Sequence, residues 1–310
     1  MSSGDRSVEV GGRTVELSNV DKVLFPDADL TKGDLVEYYR RIADVMVPHL
    51  AGRPVSMHRF PDGIDGKRFF QKQAPDYFPE WIRLERVEKE GGTVDHVVCD
   101  DAATLVYLAN QACITPHVWL SRVDRLRRPD RMVFDLDPSD GALGRVRQAA
   151  RTLREVLDEL AFTPFLTTTG SRGFHVVVPL SPEEEFDAVR AFARDLARLL
   201  AERDPENLTV EQRKEKRGDR VFLDYLRNGY AQTAVPPYAV RARPGAPVAT
   251  PIDWSELAGM EPTRYTVKNL FQRMGQKEDP WASIGESARP IGDARDTLDE
   301  MLEEIGEEEG

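Results

Sequence analysis

The chain has 310 residues, 40% of them hydrophobic and 31% charged, which is length for one large domain or two ordinary ones. No apolar run approaches the roughly 20 residues of a membrane span, and the opening MSSGDRSVEVGGR lacks an apolar signal core, so a soluble, cytoplasmic protein without a secretory leader is expected. The net charge of −12 argues against a generic nucleic-acid binder, but the stretch from Asp293 holds nine acids and one arginine, which leaves about −4 elsewhere and allows a local basic patch.

Thr31 opens the clearest helix, TKGDLVEYYRRIADVMVPHLAGRP, and Asp34 completes a capping-box-like pair. Leu35, Tyr38, Tyr39, Ile42, Val45 and Met46 form its apolar stripe, Pro48 weakens its end, and Gly52 and Pro54 close it. Short strands are expected near 55–59, 68–73 and 94–98, with a helix near 102–113. Cys99 and Cys113 form no CxxC pair and are expected to be reduced thiols.

The centre is more regular. A strand at 131–137, a helix at about 142–160, strands at 163–169 and 173–180, a helix at about 183–203 and a strand at 220–226 follow in order. This β-α-β-β-α-β succession is the ferredoxin-like or split-βαβ unit, an α+β class in which the first strand lies between the third and fourth. Alternation then sorts the side chains. Phe134, Leu136, Phe174, Val176, Val178, Val221, Leu223 and Tyr225 point toward the helices, while Asp135, Asp137, His175 and Asp224 share the open face. The tail from Asp293 has Leu298, Met301, Leu302 and Ile305 at helical spacing. The expected organisation is a single domain over 1–292, with a mixed subregion to about 125, a catalytic subregion over 126–260, a helical region over 261–292, and an acidic amphipathic tail over 293–310.

Carboxylates held together must be protonated or neutralised. Oxygen-only donors suit Mg²⁺ or Mn²⁺, and two such ions support phosphoryl transfer. A bare DxD is often a solvated strand-end pair; Asp224 on the adjacent strand shifts the balance toward catalysis. In TTTGSRGFH, Gly170 and Gly173 permit a tight turn whose N–H groups, with Ser171, Arg172 and His175, suit a triphosphate. Lys214 and Arg217 in KEKRGDR could hold phosphates, and Arg241 and Arg243 in PPYAVRAR alternate onto one face of an extended segment. His117 in TPHVWL, taken alone, reads as a core histidine.

Together these motifs resemble the polymerase domain of bacterial DNA ligase D, in the archaeo-eukaryotic primase superfamily. The similarity runs from LSNVDKVLFP to TPIDWSEL and takes in AGRPV, GKRFFQKQ, DLDP, GSRGFHVVVPL, VFLDY and TAVPPYAVRARPGAP in order. The resemblance implies a primase-like core with an RRM-like sheet and an N-terminal mixed α/β layer packed on it. It implies template-directed extension of primer 3′-OH ends in gap filling and non-homologous end joining, with ribonucleotides preferred. Asp135, Asp137 and Asp224 would ligate two divalent ions, Mn²⁺ or Mg²⁺. His117, Ser171, Arg172, Gly173, His175, Arg241 and Arg243 would bind the nucleotide (NTP or dNTP), and Lys214 and Arg217 would assist phosphate binding or site assembly. Lys22 and Lys32 would grip a DNA 5′-phosphate, and Phe69 and Phe70 would stack on template bases. Implied partners are gapped or broken DNA, Ku and a DNA ligase, in a nucleoid-associated setting without a membrane. Lysine is common in the family where this chain has Arg172, which replaces a point contact by a fork. The chain ends without a ligase or nuclease segment, so it is expected to be a free-standing relative or an excised domain.

Two rivals are a haloacid-dehalogenase-type phosphohydrolase with an aspartate nucleophile and a non-catalytic DNA-end-binding scaffold. VFDLDPS, FLTTTG and GDRVFLD imitate the phosphohydrolase motifs. Gly218 and Asp219 precede their strand rather than follow one, Ser139 stands where threonine or valine is usual, and the strand order is not repeated β-α. Three intact acidic positions argue against the scaffold.

Overall fold

The structure, a computed structural model, describes residues 6–138 and 143–308. Ser139 and the last two residues of the acidic tail lie outside the described residues. In chain order the elements are β1 Arg6–Val10, β2 Arg13–Leu17, β3 Val23–Phe25, β4 Leu30–Thr31, α1 Lys32–Leu50, β5 Pro54–Arg59, β6 Phe69–Gln71, β7 Leu84–Lys89, β8 Gly92–Val98, α2 Ala102–Asn110 and β9 Cys113–Trp119. There follow β10 Arg131–Asp137, α3 Leu143–Glu159, β11 Phe165–Thr168, β12 Phe174–Pro179, α4 Phe186–Arg203, β13 Leu208–Thr209, β14 Val221–Asp224, β15 Thr233–Ala234, β16 Pro251–Ile252, α5 Leu270–Met274 and α6 Gly292–Glu308. Among the described residues no helix is long and apolar enough to cross a membrane. Cys99 and Cys113 are buried free thiols, and burial pushes both up, Cys113 to about 12.

The backbone groups into two compact units. The first holds residues up to Asp124 together with Thr233–Thr250 and Arg264–Arg273. Its main sheet has the order β15-β9-β5-β8-β7, with β6 also paired to β5. Thr31 and Asp34 form the capping box of α1, and Leu35, Tyr38, Tyr39, Ile42 and Met46 are buried. Two α1 tyrosines bind the later segment. Tyr38 Oη donates to Tyr238 O at 2.8 Å; Tyr39 Oη donates to Ile114 O at 2.7 Å and accepts from Val240 N at 3.0 Å. Strand β9 was not expected, because Pro116 inside CITPHVW reads against a strand. Strand β15 pairs with Val118 and Trp119, and Pro116 lies beyond its reach, opposite Met57 of β5.

The second unit holds Arg125–Gln232, Pro251–Thr263 and the chain from Met274 onward. Its sheet has the order β13-β14-β10-β12-β11-β16. The four principal strands thus have the arrangement that the β-α-β-β-α-β succession implies, with β10 between β12 and β14. Phe134, Leu136, Phe174, Val176, Val178, Val221, Leu223 and Tyr225 are all buried. Buried Asn228 extends this sheet where β14 has ended. Its Oδ1 accepts from Val133 N at 2.8 Å, and its Nδ2 donates to Val133 O at 2.8 Å and Tyr225 O at 2.9 Å. A side-chain amide therefore satisfies both backbone groups of Val133 as a neighbouring strand would. The acidic C-terminal segment forms α6, longer than its apolar spacing implied; Leu298 is fully buried, and Arg295 donates to Asp195 on α4 at 3.0 Å.

Candidate active site

On β10, Asp135 stands opposite His175 of β12 and opposite Asp224 of β14. Asp137 pairs with Phe222, two residues before Asp224, so the three aspartates and the histidine rise from one face. Antiparallel partners have Cα atoms about 4.5–5.5 Å apart, which sets Asp135 and Asp224 within side-chain reach of one another.

Arginines pair with two of these carboxylates, and a backbone N–H binds the third. Arg172 donates to Asp137 Oδ2 at 2.8 Å. Asp135 lies 3.4 Å from His175 Nε2 and 3.6 Å from an Arg227 guanidinium nitrogen. Asp224 Oδ1 accepts from Leu226 N at 2.9 Å. Burial pushes the Asp224 carboxyl above its ordinary range; the Leu226 N–H opposes this, the charge of Asp135 adds to it, and Arg227 and Arg217 oppose it. The DxD pair therefore lies in a cluster of opposed charges. Among the described residues no group of three or more His, Cys, Asp or Glu side chains is already arranged to hold a metal ion. The donor chemistry nevertheless fits a hard divalent cation: three carboxylates on adjacent strands, one of them raised by burial beside another. Arg227 was missed by sequence reasoning, although it follows Asp224 by three residues.

Gly173 brings the second motif against this face. A Cβ there would lie 1.8 Å from Leu136 O and 2.9 Å from Asp137 Oδ1, so only glycine allows the approach. Gly170 has φ +60°, the left-handed conformation the turn requires. Sequence reasoning expected the turn's N–H groups to be exposed. Instead Ser171 N and Gly173 N donate to Thr169 Oγ1, at 3.2 and 3.3 Å, because the threonine side chain closes the turn from within. Arg217 also points inward: it donates to Glu211 O at 2.8 Å and Gln212 O at 2.7 Å, with its guanidinium 3.8 Å from the Phe222 ring. Lys214 opens the short 3₁₀ turn just before it. Gly218 and Asp219 precede β14.

The first unit carries the remaining candidates. His117 on β9 is the cross-strand partner of Ser56, whose Oγ is buried without a hydrogen-bond partner. The His117 ring lies 5.2 Å from Phe70, edge-on. Phe69 and Phe70 are adjacent on a strand and so face opposite ways: Phe70 is 55% exposed, while Phe69 is half-buried with Arg59 over its ring at 5.7 Å. Lys22 and Lys32 are joined through their backbones, Lys32 N donating to Lys22 O at 2.8 Å. Lys22 is exposed and ion-paired with Asp62 at 2.8 Å. Lys32 is only 5% exposed, and its Nζ donates to Asn110 O at 3.0 Å and Ser18 Oγ at 3.4 Å. Arg241 and Arg243 do not alternate along an extended strand. Arg243 N donates to Arg241 O at 2.8 Å and Gly245 has φ +80°, so Pro244 and Gly245 turn the chain there.

Residues 31–281 match the family described as LigD, primase-polymerase domain. The chain is 33% identical over 290 residues to the multifunctional non-homologous end joining protein LigD of Mycolicibacterium smegmatis, covering 93% of this chain and 38% of that protein. It is 31% identical over 271 residues to the bifunctional LigD of Bacillus subtilis, covering 86% of this chain and 43% of the relative. The polymerase domain of Mycobacterium tuberculosis ligase D, solved in complex with DNA, superposes with a TM-score of 0.83 at 31% identity, covering 88% of this chain and 99% of that one. The chain thus spans well under half the length of these curated relatives, and the part it shares with them marks it as a member of the LigD primase-polymerase domain family.

Proposed function

We propose that this chain is a template-directed nucleotidyltransferase that extends a primer 3′-OH on gapped or broken DNA bearing a 5′-phosphate. The observation that carries the reading is the register that sets Asp135 between His175 and Asp224, inside a chain of this family. Asp135, Asp137 and Asp224 would hold two divalent ions, Mg²⁺ or Mn²⁺. Such ions polarise the attacking hydroxyl and balance charge on the departing pyrophosphate.

The protein's own groups do the rest. Arg172, half exposed and paired with Asp137, exchanges that carboxylate for a triphosphate oxygen, while Ser171 and Gly173 shape the turn against it. His175 keeps Asp135 oriented from the neighbouring strand. Arg217, fixed by two loop carbonyls, and Lys214 add positive charge on the Asp224 side. His117, Arg241 and Arg243 contact the nucleotide. Lys22 exchanges Asp62 for a DNA 5′-phosphate and Lys32 backs it, while Phe70 stacks on a template base and Phe69 is held by Arg59. Ribonucleotide preference, Ku and a DNA ligase as partners, and a cytoplasmic, nucleoid-associated setting belong to the same reading.

The test is primer extension on a gapped, 5′-phosphorylated duplex with Mn²⁺ or Mg²⁺ and each nucleotide set. The double variant Asp135→Ala, Asp137→Ala should lose about a thousandfold or more of the extension rate while still binding 5′-phosphorylated ends. Unchanged extension would reject the catalytic assignment, and an acid-stable phosphoenzyme at Asp135 would favour the phosphohydrolase instead.

A further inference from the structure

An aromatic ring that is more than half exposed on a sheet face has no packing reason to hold one orientation, yet Phe70 is held. Strands β5 and β6 pair His58 with Phe70, and β5 and β9 pair His58 with Thr115 and Ser56 with His117. Residues 56 and 58 have the same parity, so His58, Phe70 and His117 rise from one face. The imidazole of His58 lies flat against Phe70, with centroids 4.1 Å apart and planes 10° apart. His117 meets the same ring edge-on at 5.2 Å and 77°. The buried Phe60 also lies 4.4 Å from His58, tilted by 53°. His58 thus has both the buried Phe60 and the exposed Phe70 as ring neighbours, and only Phe70 lies parallel to it.

We infer that His58 is a positioning residue: as the inner tier of a two-ring platform, it fixes the plane of Phe70 for stacking against a DNA base. This rests on the reading of Phe70 as a base-stacking residue. Stacking on a freely rotating ring must first pay the entropy of fixing that ring, and a flat neighbour removes part of that cost in advance. A protonated imidazole would serve poorly beside Arg68 and Arg241, but burial, with those two cations, pushes His58 down to about 4, so near neutral pH the tier is an uncharged ring. His117 meets Phe70 at 77° and so cannot replace this face-to-face support.

The experiment places 2-aminopurine at the template position of a gapped duplex and compares wild type with Phe70→Ala, His58→Ala, His58→Gln and His58→Phe. Fluorescence quenching reports stacking, binding reports affinity, and extension kinetics separate KM from kcat. Phe70→Ala should abolish the quenching. His58→Ala and His58→Gln should weaken gapped-DNA binding and raise the DNA KM by about two- to tenfold, with partial loss of quenching and kcat unchanged. His58→Phe should restore both, which a merely polar role for His58 would not permit. Wild-type quenching and affinity in the glutamine variant, with Phe70→Ala impaired, would overturn the inference while leaving the base-stacking reading intact. Quenching unaffected in Phe70→Ala would overturn both. Should the alanine variant fail to fold, the glutamine and phenylalanine variants still decide the question.

Discussion

The carboxylate-bearing strands of the second unit and the ring-bearing strands of the first are built on different physics. In the second unit charge is set against charge: Arg172 pairs with Asp137 and Arg227 with Asp135, while Asp224 accepts from the Leu226 N–H beside them. In the first unit ring is set against ring, with His58, Phe70 and His117 in contact. A face of opposed charges is adapted to exchange partners, because each ion pair can be traded for a stronger one with metal or phosphate. A face of stacked rings is adapted to stay put and present a surface. The first should therefore be costly in stability and sensitive in activity, and the second tolerant in stability and graded in binding.

Among single substitutions the largest effect should come from Asp224→Asn. Asp224 is partly buried beside Asp135, so removing its charge should relieve repulsion and raise the melting temperature, while primer extension falls at least about a hundredfold. A less stable variant would mean that the charge of Asp224 is favourable in the fold and that removing it beside Asp135 relieves no repulsion.

Next, Gly173→Ala must move the β11–β12 turn away from Leu136 O. It should lose about 3 kcal/mol of stability, read by urea denaturation, and most of the nucleotide affinity. Asn228→Ala leaves the Val133 backbone groups buried without their side-chain partner and should cost about 2–4 kcal/mol, with Asn228→Asp no better because it lacks the N–H donors.

The lysines sharpen the contrast within the first unit. Exposed Lys22→Ala should leave the melting temperature within a degree or so of wild type, yet narrow the preference for a 5′-phosphorylated over a dephosphorylated gap by roughly fivefold. Buried Lys32→Ala should lower stability by about 1–3 kcal/mol as well, since Asn110 O loses a charged donor. Equal loss on both DNA substrates would reduce the pair to generic backbone contacts.

The smallest effect concerns pH. The folded-state pKa of His58, about 4, lies below its ordinary value of 6.5, so the unfolded chain takes up the proton first as pH falls. The stability this residue contributes above about pH 6.5 is lost as pH drops toward 4. His58→Phe should flatten the urea midpoint over that window by up to one proton's worth of slope, and parallel curves would show that His58 titrates normally.

Much of the second unit was legible in the chain. Alternation in RMVFDLD, FHVVVP and VFLDY placed the acids and the histidine on one face, because a strand's period of two leaves no other choice once its apolar partners are buried. The first unit was less legible. Its sheet draws β15 from more than a hundred residues downstream of β9, and Pro116 hides a strand whose neighbour happens to be short. Nor could the sequence reveal that Thr169 occupies two N–H groups of the triphosphate turn, or that Pro244 and Gly245 turn the chain after Arg243.

The sequence by itself determined the carboxylate face, the capped helix α1 and the succession of strands around them, since all three follow from local periodicity and local hydrogen bonding. Only the tertiary structure decided which cation each aspartate meets, that Lys32 is buried and Lys22 is not, and that an imidazole lies flat beneath Phe70. Those choices depend on side chains brought together from distant parts of the chain, where rotamer and partner are set by packing and not by spacing.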